Sequence, residues 1–289
     1  MSSYVCIICS YIGTSEAQQD WGRVRGNTER FKKTIFHLWK CPQCQTIHSI
    51  DPIDFQDIYS DYPLNKRCLD AYARGTLHNL LKRLRSAGIK KSDLILDYGC
   101  GNGIFVQFLQ QKGYIHATGY DPYVPEFAEL PENRQFNCIV ANDVIEHVVD
   151  PRVIIKNCVN LLKPGGLLYI GTADSEGVKM NNLEPHIMRL HQPFHRIIIT
   201  RGTLRMLSIE TGMELMKEYK RSYMDTLVPF INYRFLDEFS KALGHNMDRA
   251  LDSASVKVLL RKPGIFFYAF FGYFFPSAYE PAVAMRKPK

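Results

Sequence analysis

Short apolar runs alternate with amphipathic stretches through the middle of the chain. The runs "LIL" (94–96), "CIVA" (138–141) and "LLYI" (167–170) carry no charge, as in strands that are buried on both faces of a parallel sheet. Between them, 104–109 and 153–162 place apolar residues at helical spacing. This alternation predicts an α/β fold with a doubly wound, mostly parallel, Rossmann-like sheet.

A leading helix precedes the first of these strands, after an acidic and aromatic connector, "DPIDFQDIYSDYPLNK" (51–66). Apolar residues recur in it every three or four positions, and Gly88 is expected to end it. These apolar positions are Leu69, Tyr72, Leu77, Leu80, Leu81 and Leu84.

Two Cys-x-x-Cys pairs lie in the N-terminal segment 1–60, which is too small to bury a core of its own. Each pair places two thiolates on a tight turn, and two pairs supply a tetrahedral four-sulfur site for zinc. Metal binding would then contribute much of the folding free energy of the segment. Four cysteines leave no open coordination position, so we expect a structural Zn²⁺ in a zinc ribbon over 1–60. The expected ligands are Cys6, Cys9, Cys41 and Cys44.

The composition is that of a folded protein, with 46% hydrophobic and 22% charged residues among 289. The net charge of +7 comes from scattered Lys and Arg, so it favours contact with nucleic acid or an anionic membrane only weakly. The chain does not begin with a basic segment followed by an apolar run, which predicts no secretory signal and a cytoplasmic location. In that reducing compartment, paired cysteines favour metal binding over disulfides.

A glycine loop follows the first buried strand in "SDLILDYGCGNG" (92–103). Its G-x-G-x-G spacing differs from the G-x-G-x-x-G of dinucleotide-binding proteins, because Ile104 stands at the last position, and the G-K-[ST] of a P-loop is absent. Bare backbone after an acid suits a ligand without a pyrophosphate, such as an adenosine joined to an amino-acid chain. Asp121 ends the next strand, in position to accept hydrogen bonds from both ribose hydroxyls.

Four motifs, in this order, resemble those of the class I S-adenosylmethionine-dependent methyltransferases: "LDYGCGNG", "GYDP", "NDVIEHVVDP" and "LLKPGGLLYIGT". The resemblance spans residues 61–211 and is strongest to the ubiquinone-type O-methyltransferases and the sugar and natural-product methyltransferases. The cysteine pairs followed by "DPIDFQDIYSDYP" also resemble the zinc-ribbon leader of some bacterial members of this branch.

This resemblance implies S-adenosyl-L-methionine as the cofactor. It further implies that the glycine loop wraps the cofactor, that Asp121 binds the ribose and that Asn142 lies beside the methionine part. Arg74, on the leading helix, would reach the cofactor carboxylate. The loop residues concerned are Asp97, Gly99, Gly101 and Gly103.

One segment departs from the family pattern. Only Pro122–Phe136 separates "GYD" from the next strand, where family members usually fit a helix, a strand and an acidic adenine contact. Three prolines in "PYVPEFAELPENRQF" leave little room for a helix and a strand. The sheet is therefore expected to be one strand short, and no acid is assigned to adenine.

Histidines are the candidate bases, because methyl transfer to a hydroxyl requires removal of its proton near neutral pH. His147 follows the fourth strand, and His191 and His195 follow the fifth, at the carboxyl ends where open α/β sheets bind ligands. A structural alternative stays open for each of them. Glu146 and His147 could tie their loop to the sheet, and the other two could bond only to backbone.

The segment 224–280 is expected to be an insertion between the last two strands, "MELMKEYKRSY" (213–223) and "PAVAMRKP" (281–288), since such folds end in a hairpin. It contains "GIFFYAFFGYFFP" (264–276), which as a helix would be apolar nearly all round. At ~1.5 Å per residue it is too short to span a bilayer. Two alternatives remain for this run, a core helix under a lid or contact in the plane of a membrane surface. In either case the insertion is expected to overhang the acceptor site and to shape its pocket.

We therefore predict a cytoplasmic methyltransferase, with its catalytic domain over 61–289, that acts on a small-molecule, sugar or lipid-linked acceptor, most readily by O-methylation. Membrane association through 264–276 is the accompanying hypothesis. The alternatives are an RNA methyltransferase that presents RNA on its ribbon and a non-catalytic scaffold. Support for RNA comes from Arg23, Arg25, Lys32 and Lys33, but no N-P-P-Y-type motif for base amines is found, so nucleic acid is not favoured. The sequence does not indicate the oligomeric state.

Overall fold

The computed structural model describes residues 3–14, 17–130, 134–252, 257–275 and 280–289. Its strands are β1 (Ser3–Val5), β2 (Ile12–Thr14), β3 (Trp21–Arg25), β4 (Ile35–Lys40), β5 (Ile47–Ser49), β6 (Ile95–Tyr98), β7 (Ala117–Tyr120), β8 (Phe136–Asn142), β9 (Leu162–Gly171), β10 (Ile197–Ile198), β11 (Glu214–Tyr219) and β12 (Ala282–Arg286). Its helices are α1 (Phe55–Tyr59), α2 (Ala71–Ser86), α3 (Ile104–Gln111), α4 (Pro151–Leu161), α5 (Ile187–Leu190), α6 (Arg201–Glu210), α7 (Tyr233–Ala242), α8 (Met247–Leu251), α9 (Val258–Arg261) and α10 (Gly264–Phe271).

The main sheet has six strands in the order β11-β12-β9-β8-β6-β7. β7, β6, β8 and β9 are parallel neighbours, whereas β12 pairs antiparallel with both β9 and β11. This order confirms the predicted doubly wound, mostly parallel sheet with a C-terminal hairpin. β7 and β8, which follow β6 in the sequence, lie on opposite sides of β6 in the sheet. A crevice therefore opens at the carboxyl ends of these strands.

The expected shortening of the sheet is confirmed, because β7 forms its edge within the described residues. Between Asp121 and Leu130 the chain forms a 3-10 turn at Pro125–Phe127 and no strand. Residues 131–133 of the proline-rich segment lie outside the described part of the chain.

Both faces of the sheet are buried, which explains the uninterrupted apolar runs. On β8, Cys138 and Val140 pack with apolar residues of α2 and α3. Ile139 and Ala141, which point to the opposite face, pack with residues of α4 and α6. The main sheet is thus the middle layer of a three-layer α/β/α arrangement.

The N-terminal segment forms a β1–β2 hairpin and part of a four-stranded antiparallel sheet in the order β10-β5-β4-β3. β10 belongs to the chain after β9, so the predicted 1–60 leader shares its sheet with the remainder of the protein. Arg152, in the first turn of α4, also donates from its two terminal nitrogens to the carbonyls of Ile7 and Ile8, each at 2.9 Å. The leader is therefore held against the remainder of the chain both by a shared sheet and by side-chain hydrogen bonds.

The described part of the insertion begins with an irregular segment, 224–232, and continues with the helices α7–α10. α10 packs on α7 through the side that carries Ile265 and Ala269, and both of these residues are buried. Asn232, the N-cap of α7, donates to the carbonyls of Tyr268 and Ala269 and fixes this contact. The aromatic side of α10 faces outward, since Phe267 is 52% exposed and Phe274, just beyond the helix, is 70% exposed. These exposed side chains do not fit the alternative of a core helix. Residues 253–256 and 276–279 of the insertion lie outside the described ranges.

No helix among the described residues is long and apolar enough to cross a membrane.

Candidate active site

The glycine loop connects the carboxyl end of β6 to the first turn of α3. Gly99, Gly101 and Gly103 have φ values of 79°, 52° and 76°, in the region where residues with a Cβ are strained. A Cβ on Gly99 would also lie 2.5 Å from Cγ2 of Val144, so no side chain fits there. Above Gly101 only Oδ1 of Asn65 comes within 4 Å of such a Cβ, at 3.4 Å. The loop thus presents bare backbone to the crevice.

Asp121 lies directly against this loop. Its Oδ2 accepts a hydrogen bond from the Gly101 amide at 2.9 Å, and its Oδ1 accepts one from the Tyr123 amide at 2.9 Å. Asp97, at the end of β6, is buried, and burial followed by the charge of Asp121 raises the pKa of Asp97 to about 7. The structure therefore brings both predicted acids to the glycine loop.

Asn142 ends β8, next to β6 in the sheet, so it reaches the same edge. Its side-chain amide donates to Oδ2 of Asp143 at 2.7 Å. Asp143 has a φ of 56°, which is unusual for a residue with a side chain. Burial raises the pKa of Asp143, and the nearby carboxylates of Glu280 and Glu146 raise it further.

Arg74 lies apart from this group. Its Nη1 donates to Oε1 of Gln111 at 2.8 Å, at the C-terminal end of α3. That end is about 12 Å from the glycine loop at the helical rise of ~1.5 Å per residue. Arg74 instead lines an open groove of ≈350 Å³. The other lining residues are Gly75, His78, Phe108, Lys112 and Val228.

The three predicted histidines come together in one cluster. The ring of His195 lies between the other two, with centroid distances of 4.8 Å to His147 and 5.1 Å to His191. His191 and His195 are buried, and burial lowers the pKa of all three histidines. For His195 the lowered pKa is about 4, so this ring is neutral at neutral pH.

Both ring nitrogens of His191 and of His147 are engaged. Nδ1 of His191 donates to Oδ1 of Asn27 at 2.8 Å, and its Nε2 lies 3.3 Å from the hydroxyl of Tyr62. Nδ1 of His147 lies 2.7 Å from the hydroxyl of Tyr59, and the ring also bonds to the backbone of Phe194. Burial raises the pKa of both tyrosines, so they stay protonated and donate to the histidines.

His195 differs from its neighbours. Its Nδ1 lies 2.8 Å from the carbonyl of Arg189, and a carbonyl can only accept, so Nδ1 carries the proton. In the neutral ring, Nε2 then holds the lone pair, and it has no hydrogen-bond partner among the described residues. Of the three rings, His195 has the nitrogen that is best prepared to accept a proton.

An aromatic group that the sequence analysis did not assign connects the histidines to the glycine loop. Tyr59 stacks on Tyr123 with ring centroids 4.3 Å apart, and Tyr123 donates its amide to Asp121. Tyr59 in turn bonds to His147, so contacts run from Asp121 to the histidine cluster without a break. The aromatic content of the 51–66 connector was the available signal for Tyr59 and Tyr62.

Phe127 is a second unassigned residue at this site. A Cβ on Gly103 would lie 2.6 Å from Cζ of its ring, so the ring lies directly on the glycine loop. The carbonyl of Phe127 accepts from the amide of Asp121 at 2.9 Å, which closes the short turn that follows β7. This turn lies in the segment where the sequence left little room for the helix and the strand that family members usually have.

The four predicted metal ligands converge in the ribbon. Among the described residues, Cys6, Cys9, Cys41 and Cys44 are the set of potential ligands whose donor atoms all lie within 4.8 Å of one another. Two of the sulfur pairs, Cys6–Cys44 and Cys9–Cys41, are each 3.5 Å apart. A tetrahedral zinc with Zn–S bonds of ~2.3 Å needs sulfurs about 3.8 Å apart, so the arrangement fits this ion. Nε2 of His48 lies 3.3 Å from the Cys6 sulfur and can orient it.

Two of the basic residues behind the RNA alternative are engaged within the chain. Arg25 pairs with Glu184 at 2.8 Å, and Lys32 pairs with Glu29.

Comparison with known proteins identifies the family to which the chain belongs. Residues 69–236, more than half of the chain, match the family described as "Methyltransferase domain". The ubiquinone biosynthesis O-methyltransferase of Ralstonia nicotianae is 27% identical over 150 residues, which is 51% of this chain and 60% of that protein. The protein of the same name from Coxiella burnetii is 31% identical over 114 residues, or 32% of this chain and 48% of that protein. The chain thus aligns with less than two thirds of the length of these relatives.

Two solved structures share the fold. One is the Haemonchus contortus phosphoethanolamine N-methyltransferase 2 in complex with phosphomonomethylethanolamine and S-adenosylhomocysteine, with a TM-score of 0.50, 13% identity and coverage of 96% of this chain and 71% of that chain. The other is a chain of the complex between the Haloferax volcanii Trm112 methyltransferase activator and a methyltransferase, with a TM-score of 0.50, 12% identity and coverage of 83% of this chain and 100% of that chain. At these identities the likeness concerns the fold alone.

The family match, the sheet order and the bare glycine loop beside Asp121 agree with one another. The chain belongs to the methyltransferase-domain family, and it has the fold of the class I S-adenosylmethionine-dependent methyltransferases.

Proposed function

We propose that this methyltransferase transfers the methyl group to a hydroxyl of a small-molecule, sugar or lipid-linked acceptor, with His195 as the general base. The observation that carries the proposal is the histidine cluster, which is joined to Asp121 through Tyr59 and Tyr123. A cluster at this place lies beside the crevice in which cofactor and acceptor must meet.

The residues of the crevice fit S-adenosylmethionine. The bare backbone at Gly101 allows close approach, and the Asp121 carboxylate, fixed by two amides, can accept from the ribose hydroxyls. Asn142 is proposed beside the methionine part, at the adjacent strand end. When bound, the cofactor supplies an electrophilic methyl group on a sulfonium. Arg74 is left out of this proposal, because its side chain reaches the far end of α3.

Phe127 is proposed as the adenine contact. No acid of the segment 122–136 was assigned to adenine. The ring of Phe127, by contrast, lies against Gly103 of the glycine loop and beside β7. Stacking on an aromatic face is tolerant of geometry and does not need the missing strand.

The proton path is proposed to run through His195. Nε2 would accept the proton of the acceptor hydroxyl, and the oxygen would take the methyl group as its bond to the sulfonium breaks, which leaves a neutral thioether. The Arg189 carbonyl, by accepting from Nδ1, holds the required tautomer and stabilises the charged ring that results. His147 and His191 position the cluster through their bonds to Tyr59 and Tyr62.

A structural Zn²⁺ in the ribbon is proposed on the convergence of the four cysteine sulfurs. The ion would hold the leader, and with it the sheet that ends in β10. We further propose a cytoplasmic protein that touches a membrane surface through 264–276, supported by the exposed phenylalanines of α10.

The test of the base is a transfer assay with radiolabelled S-adenosylmethionine and extracts of the cell's small molecules and lipids as acceptors. His195→Gln should lower the transfer rate by roughly 10²–10⁴-fold while affinity for S-adenosylhomocysteine stays unchanged. His116→Gln, an exposed histidine on the connection into β7, is the matched control and should transfer at the wild-type rate. Full activity of His195→Gln would remove His195 from the chemistry.

A further inference from the structure

An apolar face covers one side of α9 and α10. We define the aromatic face as Leu260, Phe266, Phe267, Phe270, Phe271 and Phe274. Leu260 is 82% exposed, and Phe267, Phe270 and Phe271 are each 52% exposed. The phenylalanines follow the helical period, so they project from the side opposite to Ile265 and Ala269, which pack on α7.

The aromatic face continues onto the segment before α7. The ring of Phe230 contacts those of Phe266 and Phe270, with centroid distances of 6.1 Å and 5.6 Å. Leu227 and Val228, just before it, are 67% and 50% exposed. The apolar surface is therefore a continuous, outward-facing region rather than scattered single residues, and it requires an explanation.

Cations without acidic partners surround this surface. Lys257, Arg261 and Lys262 are exposed, and none of them forms an ion pair within the described ranges of the chain. On the other side, Val228 borders the ≈350 Å³ groove that contains Arg74, His78 and Lys112. Arg74 bonds to the Gln111 amide and not to a carboxylate, so its charge is not neutralised there.

We infer that the aromatic face docks on a bilayer that contains anionic lipid, and that the groove beside Val228 takes a phosphate-bearing headgroup. Phenylalanines at the depth of the acyl chains with Lys and Arg at the headgroups are the arrangement of helices that lie in a membrane interface. α10 has eight residues and reaches ~12 Å, so it lies in the plane of the membrane and does not span it. The inference rests on the proposed membrane contact and adds its residues, its lipid charge and its headgroup site.

The charge pattern favours a membrane over a second copy of the chain. In a two-fold dimer the same surface meets itself, so the unpaired cations at the edge of one aromatic face would approach those of its partner. Repulsion would oppose that contact, whereas anionic headgroups neutralise all of these cations at once.

The experiment is co-sedimentation of the full chain with phosphatidylcholine vesicles, with and without phosphatidylglycerol. Wild type should pellet with the anionic vesicles and only weakly with the neutral ones. Phe267→Asp/Phe271→Asp should stay in the supernatant in both cases. Its control is Ile115→Asp/Ile209→Asp, which places the same charges on exposed apolar residues elsewhere and should pellet like wild type.

A second pair of variants tests the cations. Lys112→Glu/Arg261→Glu should lose the additional pelleting that phosphatidylglycerol causes, whereas Lys156→Glu/Lys179→Glu, with the same change in net charge, should retain most of it. Equal behaviour of the two variants would overturn the inferred role of these cations in binding anionic lipid. Thermal melts monitored by circular dichroism show whether each variant is folded.

Two results would overturn the docking inference as a whole. One is a wild-type chain that stays in the supernatant with anionic vesicles, and the other is sedimentation velocity showing a dimer that Phe271→Asp dissociates. Calorimetry with S-adenosylhomocysteine on the same preparations distinguishes failure of the membrane inference from failure of the proposed function. Cofactor affinity that persists without vesicle binding would contradict the membrane inference alone.

Discussion

Asn27 and His191 form a buried hydrogen bond between Oδ1 and Nδ1, 2.8 Å long, although 164 residues separate them in the chain. Asn27 lies between β3 and β4, so the ribbon supplies the group that fixes the tautomer of a histidine in the candidate active site. With its proton on Nδ1, His191 accepts at Nε2 from the Tyr62 hydroxyl. The ribbon is thus a structural part of the site as well as a neighbour of it.

Asn27→Ala should destabilise the protein by roughly 1–3 kcal/mol, because it leaves the Nδ1–H of His191 buried without an acceptor. The measurement is urea denaturation followed by tryptophan fluorescence. Asn182→Ala, an exposed asparagine, should change the free energy of unfolding by less than about 0.5 kcal/mol. Equal stability of the two variants would show that the bond contributes little to the fold.

The elements that depend on local pattern could be predicted from the sequence. β6, β8 and β9 were predicted by their apolar runs. The prolines of 122–136 predicted the absence of a strand from the described residues between β7 and β8. The same pattern predicted His147 after β8 and His195 after β9. The structure places these two rings 4.8 Å apart, but His195 lies well beyond the end of β9 and just before β10.

Pairings between distant segments could not be predicted. β10 has two residues and joins β5 through Ile197 and Ile198, too short a run to give a periodic signal. Arg74 was placed on the correct helix, but sequence spacing does not determine which end of α3 its flexible side chain reaches. The outward orientation of the α10 phenylalanines also depends on which face packs against α7, and an all-round apolar helix leaves that choice open.

Removal of the proposed zinc should increase the flexibility of residues 187–199, which carry His191 and His195. β5 carries β10 through the pairs of His48 with Ile197 and of Ile47 with Ile198, so loss of the ribbon removes one side of this strand. We expect faster amide hydrogen exchange in peptides covering 187–199 after chelation, and in Cys41→Ser.

Cys68→Ser, at an exposed cysteine outside the ribbon site, is the matched control and should exchange like wild type. Unchanged exchange in 187–199 after loss of bound zinc, measured by elemental analysis, would contradict this coupling.

Asp121→Ala should weaken the binding of S-adenosylhomocysteine by about 10–100-fold, as expected for loss of hydrogen bonds to a charged group. The change removes the proposed ribose acceptor and the partner of the Gly101 amide together. Isothermal titration calorimetry measures the affinity, and Glu214→Ala, an exposed acid on β11, should bind like wild type. Wild-type affinity in Asp121→Ala would place the ribose elsewhere.

Acid should destabilise the protein partly through His195. The pKa of His195 is about 4 in the folded chain because the ring is buried, whereas the ordinary value of 6.5 applies after unfolding. Between these values the unfolded chain binds the proton and the folded chain does not, so the contribution to stability is complete above pH 6.5 and declines as the pH falls toward 4.

Lowering the pH from about 7 to about 5 should therefore reduce the free energy of unfolding of wild type by roughly 2 kcal/mol more than that of His195→Gln. The measurement is urea denaturation at both pH values. His147 and His191 also have lowered pKa values, but they titrate in both proteins, so the difference reports mainly on His195. Equal acid sensitivity of the two proteins would mean that His195 is not held neutral by burial, and would weaken its assignment as the base.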